Sequence, residues 1–214
     1  MSAAKPDGLK VTLKLATSLD GRIATADGES KWITGEEARA AGHRLRARHD
    51  AVLVGAGTAR LDDPSLTVRD LGTTFQPVRV VASRRLELPL IGQLARSARQ
   101  VPLWLCHGAD ADAERVQAWE GVGARRIVCA LAGTQLDPED MLDQLGRAGL
   151  TRVFCEGGGA LAASLLEADL VDELVGFTAG LVIGAEGAGT DGECLVEGLL
   201  RLVKVFLLVE HASE

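Results

Sequence analysis

Short apolar runs alternate with amphipathic segments along most of this chain. The apolar runs are nearly continuous and lie at residues 11–16, 51–55, 78–82, 101–106, 126–130, 152–156, 173–178 and 199–210. Continuous runs of this length are typical of strands that are covered on both faces. Segments with helical periodicity separate several of them, at residues 34–48, 111–121, 137–148 and 160–168. The alternation predicts an α/β fold in three layers, with a mostly parallel central sheet and helices on both faces.

The C-terminal part of the chain departs from this alternation. No obvious helical segment separates the runs at 173–178 and 199–210, and residues 184–198 are rich in glycine. We therefore expect a loop that leads into an antiparallel pair of strands at the C-terminal edge of the sheet. No long linker divides the chain, so we expect one domain over residues 1–214, with residues 1–9 as a flexible N-terminus.

The composition excludes several classes of protein. Hydrophobic residues make up 47% of the chain and aromatic residues only 3%, so aliphatic side chains must fill the core. The net charge of −7 argues against a general nucleic-acid binder, which needs a basic face. The four cysteines are widely spaced and form no C-x-x-C, which indicates buried thiols rather than a metal site. No apolar run suits a signal peptide or a membrane span, so we expect a cytoplasmic protein.

The stretch E-G-G-G, residues 156–159, stands between an apolar run and a helical segment. Consecutive glycines allow a sharp turn and let a ligand approach the backbone N–H groups, and a helix N-terminus attracts anions. Glu156 stands at the carboxyl end of the predicted strand, where ligands collect in open α/β sheets. The spacing is not that of the G-x-G-x-x-G fingerprint. On these residues alone, a phosphate site and a tight turn that binds nothing both stay open.

A second glycine-rich strand exit runs through G-A-G-T to D-D-P-S-L-T-V-R, residues 55–69. Asp63 precedes a proline, which disfavours helix there and favours an extended turn. Asp62 and Arg69 together would suit a polar, charged ligand. A solvated loop with a local Asp–Arg pair is the alternative.

Arginines stand in two further places that suit a phosphate. The sequence S-R-R, residues 83–85, directly follows the apolar run at 78–82 and would suit the 2′-phosphate of NADP, unless it is only a charged turn. The first helical segment carries four arginines, of which any one could reach a phosphate while the rest face solvent. The polar connection at 16–34 is long enough to be a binding loop, and it contains Trp32.

Five motifs in this order resemble one known family. They are S-L-D-G-R (18–22), G-E-S-K-W-I-T (28–34), L-R-A-R-H-D-A-V-L-V-G-A-G-T (45–58), D-D-P-S-L-T-V-R (62–69) and E-G-G-G-A-L (156–161). The chain looks like the pyrimidine reductase family of riboflavin biosynthesis, whose domain has the dihydrofolate-reductase-like fold, from about residue 10 to the C-terminus. The resemblance implies an NADPH-dependent oxidoreductase that reduces the ribose of 5-amino-6-(5-phosphoribosylamino)uracil to a ribityl chain.

The resemblance also implies roles for individual positions. The substrate-side positions are Ser30, Arg46, Leu66, Arg69 and Glu156. The cofactor-side positions are Ala16, Trp32, Thr58, Asp62, Ser83, Arg84, Gly158, Gly159, Ala160 and Leu161, with the turn continuing to Ser164. The matching does not identify the group that supplies the proton, and the candidates for this catalytic role are Lys14, Asp20 and Glu156.

One departure from the family pattern concerns the substrate. Many bacterial members carry a zinc deaminase domain marked by H-x-E and P-C-x-x-C, and neither motif occurs in this sequence. We therefore expect a reductase with no metal site that works with a deaminase on a separate chain, or one that takes the undeaminated diaminopyrimidinone. The family suggests a homodimer, with no nucleic acid or membrane partner.

Two other functions stay open on the sequence. A dihydrofolate or pterin reductase would keep the fold and the cofactor, although it would have little use for both Arg46 and Arg69. A nucleotide-binding regulatory protein without turnover is the second alternative.

Overall fold

The computed structural model describes residues 8–25, 35–180, 182–184, 187–188 and 205–209 of the chain. The strands are β1 (Lys10–Thr17), β2 (Ala24–Thr25), β3 (Ala51–Gly55), β4 (Val78–Ala82), β5 (Leu103–Gly108), β6 (Arg125–Cys129), β7 (Leu131–Ala132), β8 (Gln135–Leu136), β9 (Arg152–Gly157), β10 (Glu173–Thr178), β11 (Gly187–Ala188) and β12 (Val205–Val209). The helices are α1 (Glu36–Arg46), α2 (Ala56–Leu61), α3 (Gln93–Arg96), α4 (Ala113–Gly121), α5 (Pro138–Arg147) and α6 (Gly159–Glu167).

A parallel sheet forms the centre of the described structure, with the strand order β12-β10-β1-β9-β3-β4-β5-β6. Alternate residues of the central strands face two separate apolar layers. Leu53 and Cys155 lie in the layer with α5 and α6, whereas Val52 and Phe154 lie in the layer with α3 and α4. All four side chains are fully buried. The predicted α/β fold, with a mostly parallel sheet covered on both faces, is therefore confirmed.

The antiparallel C-terminal edge predicted from the sequence is wrong. Strand β12 pairs with β10 in parallel, with Leu174 opposite Val205 and Thr178 opposite Val209. Parallel neighbours need a crossover of a dozen or more residues, and residues 179–204 between these strands are enough for one. The antiparallel pairings of the described residues lie in two small sheets, β2 with β11 and β7 with β8.

Several expectations fall partly or wholly outside the described residues. These are most of the N-terminal segment 1–9, the start of the first helix at residue 34, Ser30, Trp32 and most of the run at 199–210. The single domain over residues 1–214 stays a prediction. In the part of the chain that the structure describes, no helix combines the length and hydropathy that a membrane span requires.

Arg79 on β4 is a charged side chain in the interior of the protein, with no solvent exposure. Its guanidinium donates to Ser97 Oγ at 2.7 Å, to the carbonyl oxygens of Ser97 and Val101 at 3.1 and 2.6 Å, and to that of Ser65 at 3.4 Å. Burial lowers the pKa of Arg79 to about 10, so the side chain is a cation at neutral pH. Arg79 thus joins the segment after α3 to the loop that follows α2.

We expect Arg79→Leu to lower the free energy of unfolding by about 3 kcal/mol or more, because several buried acceptors lose their donor. Urea denaturation followed by circular dichroism measures the change. Arg99→Leu is the matched control, since Arg99 is exposed and donates one hydrogen bond, to Gly121 O. A loss below about 1 kcal/mol for Arg79→Leu would contradict this account.

Candidate functional site

The carboxyl ends of β1, β3, β4 and β9 open into two adjoining clefts. The larger cleft has a volume of about 410 Å³, and its lining is formed by Gly55, Ala56, Gly57, Arg60, Ala82, Ser83, Arg84, Gln135, Leu136, Pro138, Met141, Gly158, Gly159, Ala160, Leu161 and Ser164. The smaller cleft has a volume of about 230 Å³, and its lining is formed by Lys14, Leu15, Ala16, Ile23, Thr58, Asp62, Glu156, Gly157, Gly158 and Gly159. The turn at Gly158 and Gly159 is common to both, so two ligands bound there would meet at this turn.

The turn between β9 and α6 depends on glycine. Gly158 has φ +95°, a left-handed conformation that strongly favours glycine, and α6 begins at the next residue. A Cβ at Gly158 would lie 3.6 Å from the Gly55 backbone, so the exits of β3 and β9 approach closely. The first N–H groups of α6 have no acceptor within the helix, and the helix dipole is positive at this end. This arrangement suits an anionic group of a ligand in the larger cleft.

Arg46 and Glu156 form a bidentate ion pair beside the smaller cleft. Arg46 Nε and Nη2 donate to Glu156 Oε1 and Oε2 at 2.5 and 2.6 Å, and Arg46 Nη1 donates to the Thr67 carbonyl oxygen at 2.8 Å. The two side chains are only 16% and 13% exposed. Both orientations are therefore fixed, with the Glu156 side chain at the end of β9.

Lys14 on β1 faces the same cleft. Burial lowers the pKa of Lys14, and the nearby positive charge of Arg46 lowers it further, while the carboxylate of Glu156 acts in the opposite direction. The Lys14 Nζ atom lies 5.5 Å from the centre of the Phe177 ring, a cation–π distance. A half-buried amine with a lowered pKa is suited to proton transfer.

The loop at residues 62–69 is held in an unusual backbone conformation. Asp63 and Leu66 have φ angles of +40° and +55°, which non-glycine residues rarely adopt. Leu66 is anchored in the core and is 2% exposed. The Asp63 carboxylate accepts from Gln93 N at 2.7 Å, and the Gln76 side chain bonds both backbone groups of Val68. Such conformations persist only where the surroundings determine them, and they cluster at functional sites.

Three basic side chains lie together between α1 and this loop. The Arg69 amide donates to His43 Nδ1 at 3.3 Å, and the Arg69 side chain is exposed. Burial lowers the pKa of His43, and the positive charges of Arg46 and Arg69 lower it further. The sequence analysis missed His43, although its position one helical turn before Arg46 could have indicated a shared face.

The Asp20 side chain links two loops by hydrogen bonds. Its carboxylate accepts from Ser18 Oγ at 2.6 Å, Ile183 N at 3.1 Å and Gly184 N at 2.7 Å. The hydrogen bond from Ser18, followed by that from Ile183, lowers the pKa of Asp20 to about 2. Asp20 is not among the described residues that line either cleft.

Ser83 and Arg84 stand at the end of β4 and line the larger cleft. Ser83 is buried, with its backbone N–H bonded to Cys106 O. Arg84 forms an ion pair with Asp110 and also donates to the Thr134 carbonyl oxygen. Arg60 lines the same cleft from α2 and was not singled out from the sequence.

The structure brings most of the predicted residues to one sheet edge. The predicted positions in the linings are Lys14, Ala16, Thr58, Asp62, Ser83, Arg84, Glu156, Gly158, Gly159, Ala160 and Leu161. Arg46 reaches this edge through its ion pair with Glu156, whereas Leu66 and Arg69 are not among the described residues that line either cleft. Ser30 and Trp32 lie outside the described residues.

Comparison with known proteins yields one family. The model of the RibD C-terminal domain matches residues 9–210. The riboflavin biosynthesis protein RibD of Bacillus amyloliquefaciens is 36% identical over 188 residues, which are 88% of this chain and 49% of that protein. RibD of Actinobacillus pleuropneumoniae is 34% identical over 180 residues, which are 84% of this chain and 47% of that protein. The chain thus spans about half the length of these curated relatives.

Solved structures agree with the sequence comparisons. Acinetobacter baumannii RibD superposes with a TM-score of 0.72 at 29% identity, over 85% of this chain and 49% of that one. A deaminase/5-amino-6-(5-phosphoribosylamino)uracil reductase from Thermotoga maritima superposes with a TM-score of 0.68 at 29% identity, over 86% and 48% of the two chains. The match over residues 9–210 is nearly the whole sequence. The chain therefore belongs to the RibD C-terminal domain family.

Proposed function

We propose that this chain reduces the ribose of 5-amino-6-(5-phosphoribosylamino)uracil to the ribitylamino product, with NADPH as the reductant. The observation that carries the proposal is the meeting of Lys14, the Arg46–Glu156 pair and the glycine turn at the junction of two clefts. The Thermotoga maritima relative is named as a reductase of this compound, which supports the choice of substrate. The proposal concerns the reduction alone, since this sequence contains neither deaminase motif.

The larger cleft fits a dinucleotide. Its glycine turn exposes the backbone at the α6 N-terminus, where a pyrophosphate is favoured, and Ser83 and Arg84 stand at its far wall. When bound, a nicotinamide dinucleotide supplies the hydride that is added to ribose C1′. Thr58 and Asp62 line the smaller cleft beside the turn, so they are placed to orient the reacting end of the cofactor.

The basic side chains beside α1 fit the substrate's 5′-phosphate. Arg69 and Arg46 supply positive charge on either side of His43, and the nearby Glu156 side chain is already bonded to Arg46. A phosphate there would add hydrogen bonds from charged donors and would favour protonation of His43. A pterin without a phosphate would leave this group unused, which favours the phosphorylated substrate over dihydrofolate.

Lys14 is the group we assign to proton transfer. Its ammonium donates a proton to the ribose ring oxygen as the bond between C1′ and that oxygen breaks, and the lone pair of the attached nitrogen forms the C=N bond of an iminium ion. C1′ of this iminium ion then accepts the hydride, which gives the open-chain amine. Asp20 cannot play this part, because a carboxyl group with a pKa of about 2 is ionised at neutral pH. Both oxygens of the Glu156 side chain are bonded to Arg46, so in this proposal Glu156 serves to bind the substrate and to orient Lys14.

Membership of this family supports two further expectations. We propose that the protein works in the cytoplasm and as a homodimer. Sedimentation of the purified chain would measure the second of these directly.

The substrate assignment predicts oxidation of NADPH with the deaminated phosphoribosylaminopyrimidine. We expect the absorbance at 340 nm to fall with this compound, and not with dihydrofolate. The undeaminated diaminopyrimidinone, offered separately, decides the order of the two reactions. Turnover of only the undeaminated compound would place reduction first, and turnover of dihydrofolate alone would overturn the proposal.

The role of Lys14 predicts a change in kcat and in its pH profile. Since the ammonium is the active form, the rate should fall as the pH rises through the pKa of Lys14, which lies below the ordinary value of 10.5. We expect Lys14→Met to lower kcat by about 100-fold or more and to remove this alkaline limb. Lys10→Met, on the same strand with an exposed side chain, is the control. A kcat for Lys14→Met within about threefold of the wild type would exclude Lys14 as the donor.

The role of Arg69 predicts that its removal weakens the binding of the substrate only when the substrate carries its 5′-phosphate. We expect Arg69→Ala to raise the KM for the phosphorylated substrate by about tenfold, while the KM for NADPH stays unchanged. The phosphate-free ribosylamino compound should bind equally to variant and wild type. Arg44→Ala, an exposed arginine of α1, is the control. Equal losses with both compounds would show that Arg69 does not contact the phosphate.

A further inference from the structure

Arg84 is held from two sides at the wall of the larger cleft. Its Nη2 atom donates to Asp110 Oδ2 at 2.7 Å, and its Nε atom lies 3.1 Å from the same oxygen. Its Nη1 atom donates to the Thr134 carbonyl oxygen at 2.8 Å. Three of the five N–H groups of the guanidinium are therefore engaged, and its Nε–Nη2 edge faces a carboxylate.

The approach of Asp110 to Arg84 requires a glycine between them. Gly108 ends β5 beside both residues, and a Cβ there would lie 2.5 Å from Asp110 Oδ1 and 3.4 Å from Arg84 Cγ. The Gly108 amide also donates to the Arg84 carbonyl oxygen at 3.0 Å. The exits of β4 and β5 thus lie close together, and the lack of a side chain at Gly108 leaves room for the ion pair.

The surrounding charges are mainly positive. Arg60 lines the same cleft, and Arg85 is close enough to Asp110 to act on its ionisation. Arg115 lies further out, in an ion pair with Glu87. The hydrogen bond from Arg84 lowers the pKa of Asp110, so this residue is a carboxylate at neutral pH. Asp110 is therefore the negative charge in contact with the arginine that an anionic ligand of the larger cleft would meet.

We propose that Asp110 is a specificity-determining residue for the cofactor, because its carboxylate competes with the adenosine 2′-phosphate of NADPH for the Arg84 guanidinium. The inference rests on the proposed function, which places a nicotinamide dinucleotide in the larger cleft. NADH has a hydroxyl group where NADPH has this phosphate, so the carboxylate weakens the binding of NADPH selectively. The preference for NADPH is accordingly smaller than an unpaired arginine at this position would give.

The test is the binding of two nucleotides that differ in this phosphate, 2′,5′-ADP and 5′-AMP, measured by calorimetry. We expect Asp110→Asn to tighten 2′,5′-ADP about fivefold and to change 5′-AMP by less than about twofold. The asparagine oxygen can still accept from Arg84, so the side chain keeps its place. The gain in affinity for 2′,5′-ADP should become smaller as salt is added, because the side chains of Arg84 and Asp110 are partly exposed.

Two further variants separate this effect from others. Arg84→Gln removes the cation for which the Asp110 carboxylate and the 2′-phosphate compete. The affinity for 2′,5′-ADP should therefore fall towards that for 5′-AMP. Glu120→Gln removes the same charge from a comparable ion pair, Glu120–Arg126 at 2.8 Å, which lies away from the larger cleft. Glu120→Gln should leave both affinities unchanged.

The outcomes are distinct. If the wild type binds both nucleotides and Asp110→Asn leaves their ratio unchanged or weakens 2′,5′-ADP, the competition is excluded while the proposed function stands. If the wild type binds neither nucleotide, both the inference and the assignment of the larger cleft are wrong. With NADPH and NADH as reductants, the ratio of their KM values should change in parallel with the binding ratio.

Discussion

The Arg46–Glu156 ion pair is the interaction on which the site depends. It joins α1 to the end of β9, and the third bond of the guanidinium, to Thr67 O, joins both to the loop at 62–69. Removing two charges from water opposes folding, and only close pairing with satisfied hydrogen bonds offsets this. Loss of either partner would leave a largely buried charge uncompensated. Such a pair therefore contributes orientation more than stability, which a site that must place two ligands against each other requires.

The loop at 62–69 shows how that orientation is transmitted. Two arginines hold its carbonyl groups from opposite sides, Arg46 at Thr67 and Arg79 at Ser65. Between these anchors, Leu66 is kept in a left-handed conformation with its side chain in the core. The strain of one such residue is on the order of 1–3 kcal/mol, which the buried side chain and the fixed carbonyls can offset. The loop is thus a rigid wall beside the smaller cleft.

The features that could be predicted from the sequence are those determined by residues close to one another in the chain. Continuous apolar runs predicted the eight strands of the central sheet, since burial on both faces leaves little room for polar residues. The sequence analysis did not predict the six-residue helix α2, because fewer than two helical turns show too little hydrophobic periodicity to be detected. The parallel pairing of β12 and the bond between Arg84 and Asp110 depend on contacts between distant segments, so no local pattern could reveal them. For this reason the sequence analysis could offer Arg84 only as a phosphate ligand or as part of a charged turn, without its carboxylate partner.

The two clefts share one electrostatic design in a chain whose net charge is −7. Each has an arginine at the end of an element that is fixed by a carboxylate, Arg46 by Glu156 and Arg84 by Asp110. A paired guanidinium keeps its direction but gives up much of its attraction for a phosphate. Beside the smaller cleft Arg69 adds further positive charge, and in the larger cleft Arg60 does so. The paired arginine therefore sets the geometry, and the neighbouring arginine supplies net positive charge that would attract an anionic ligand.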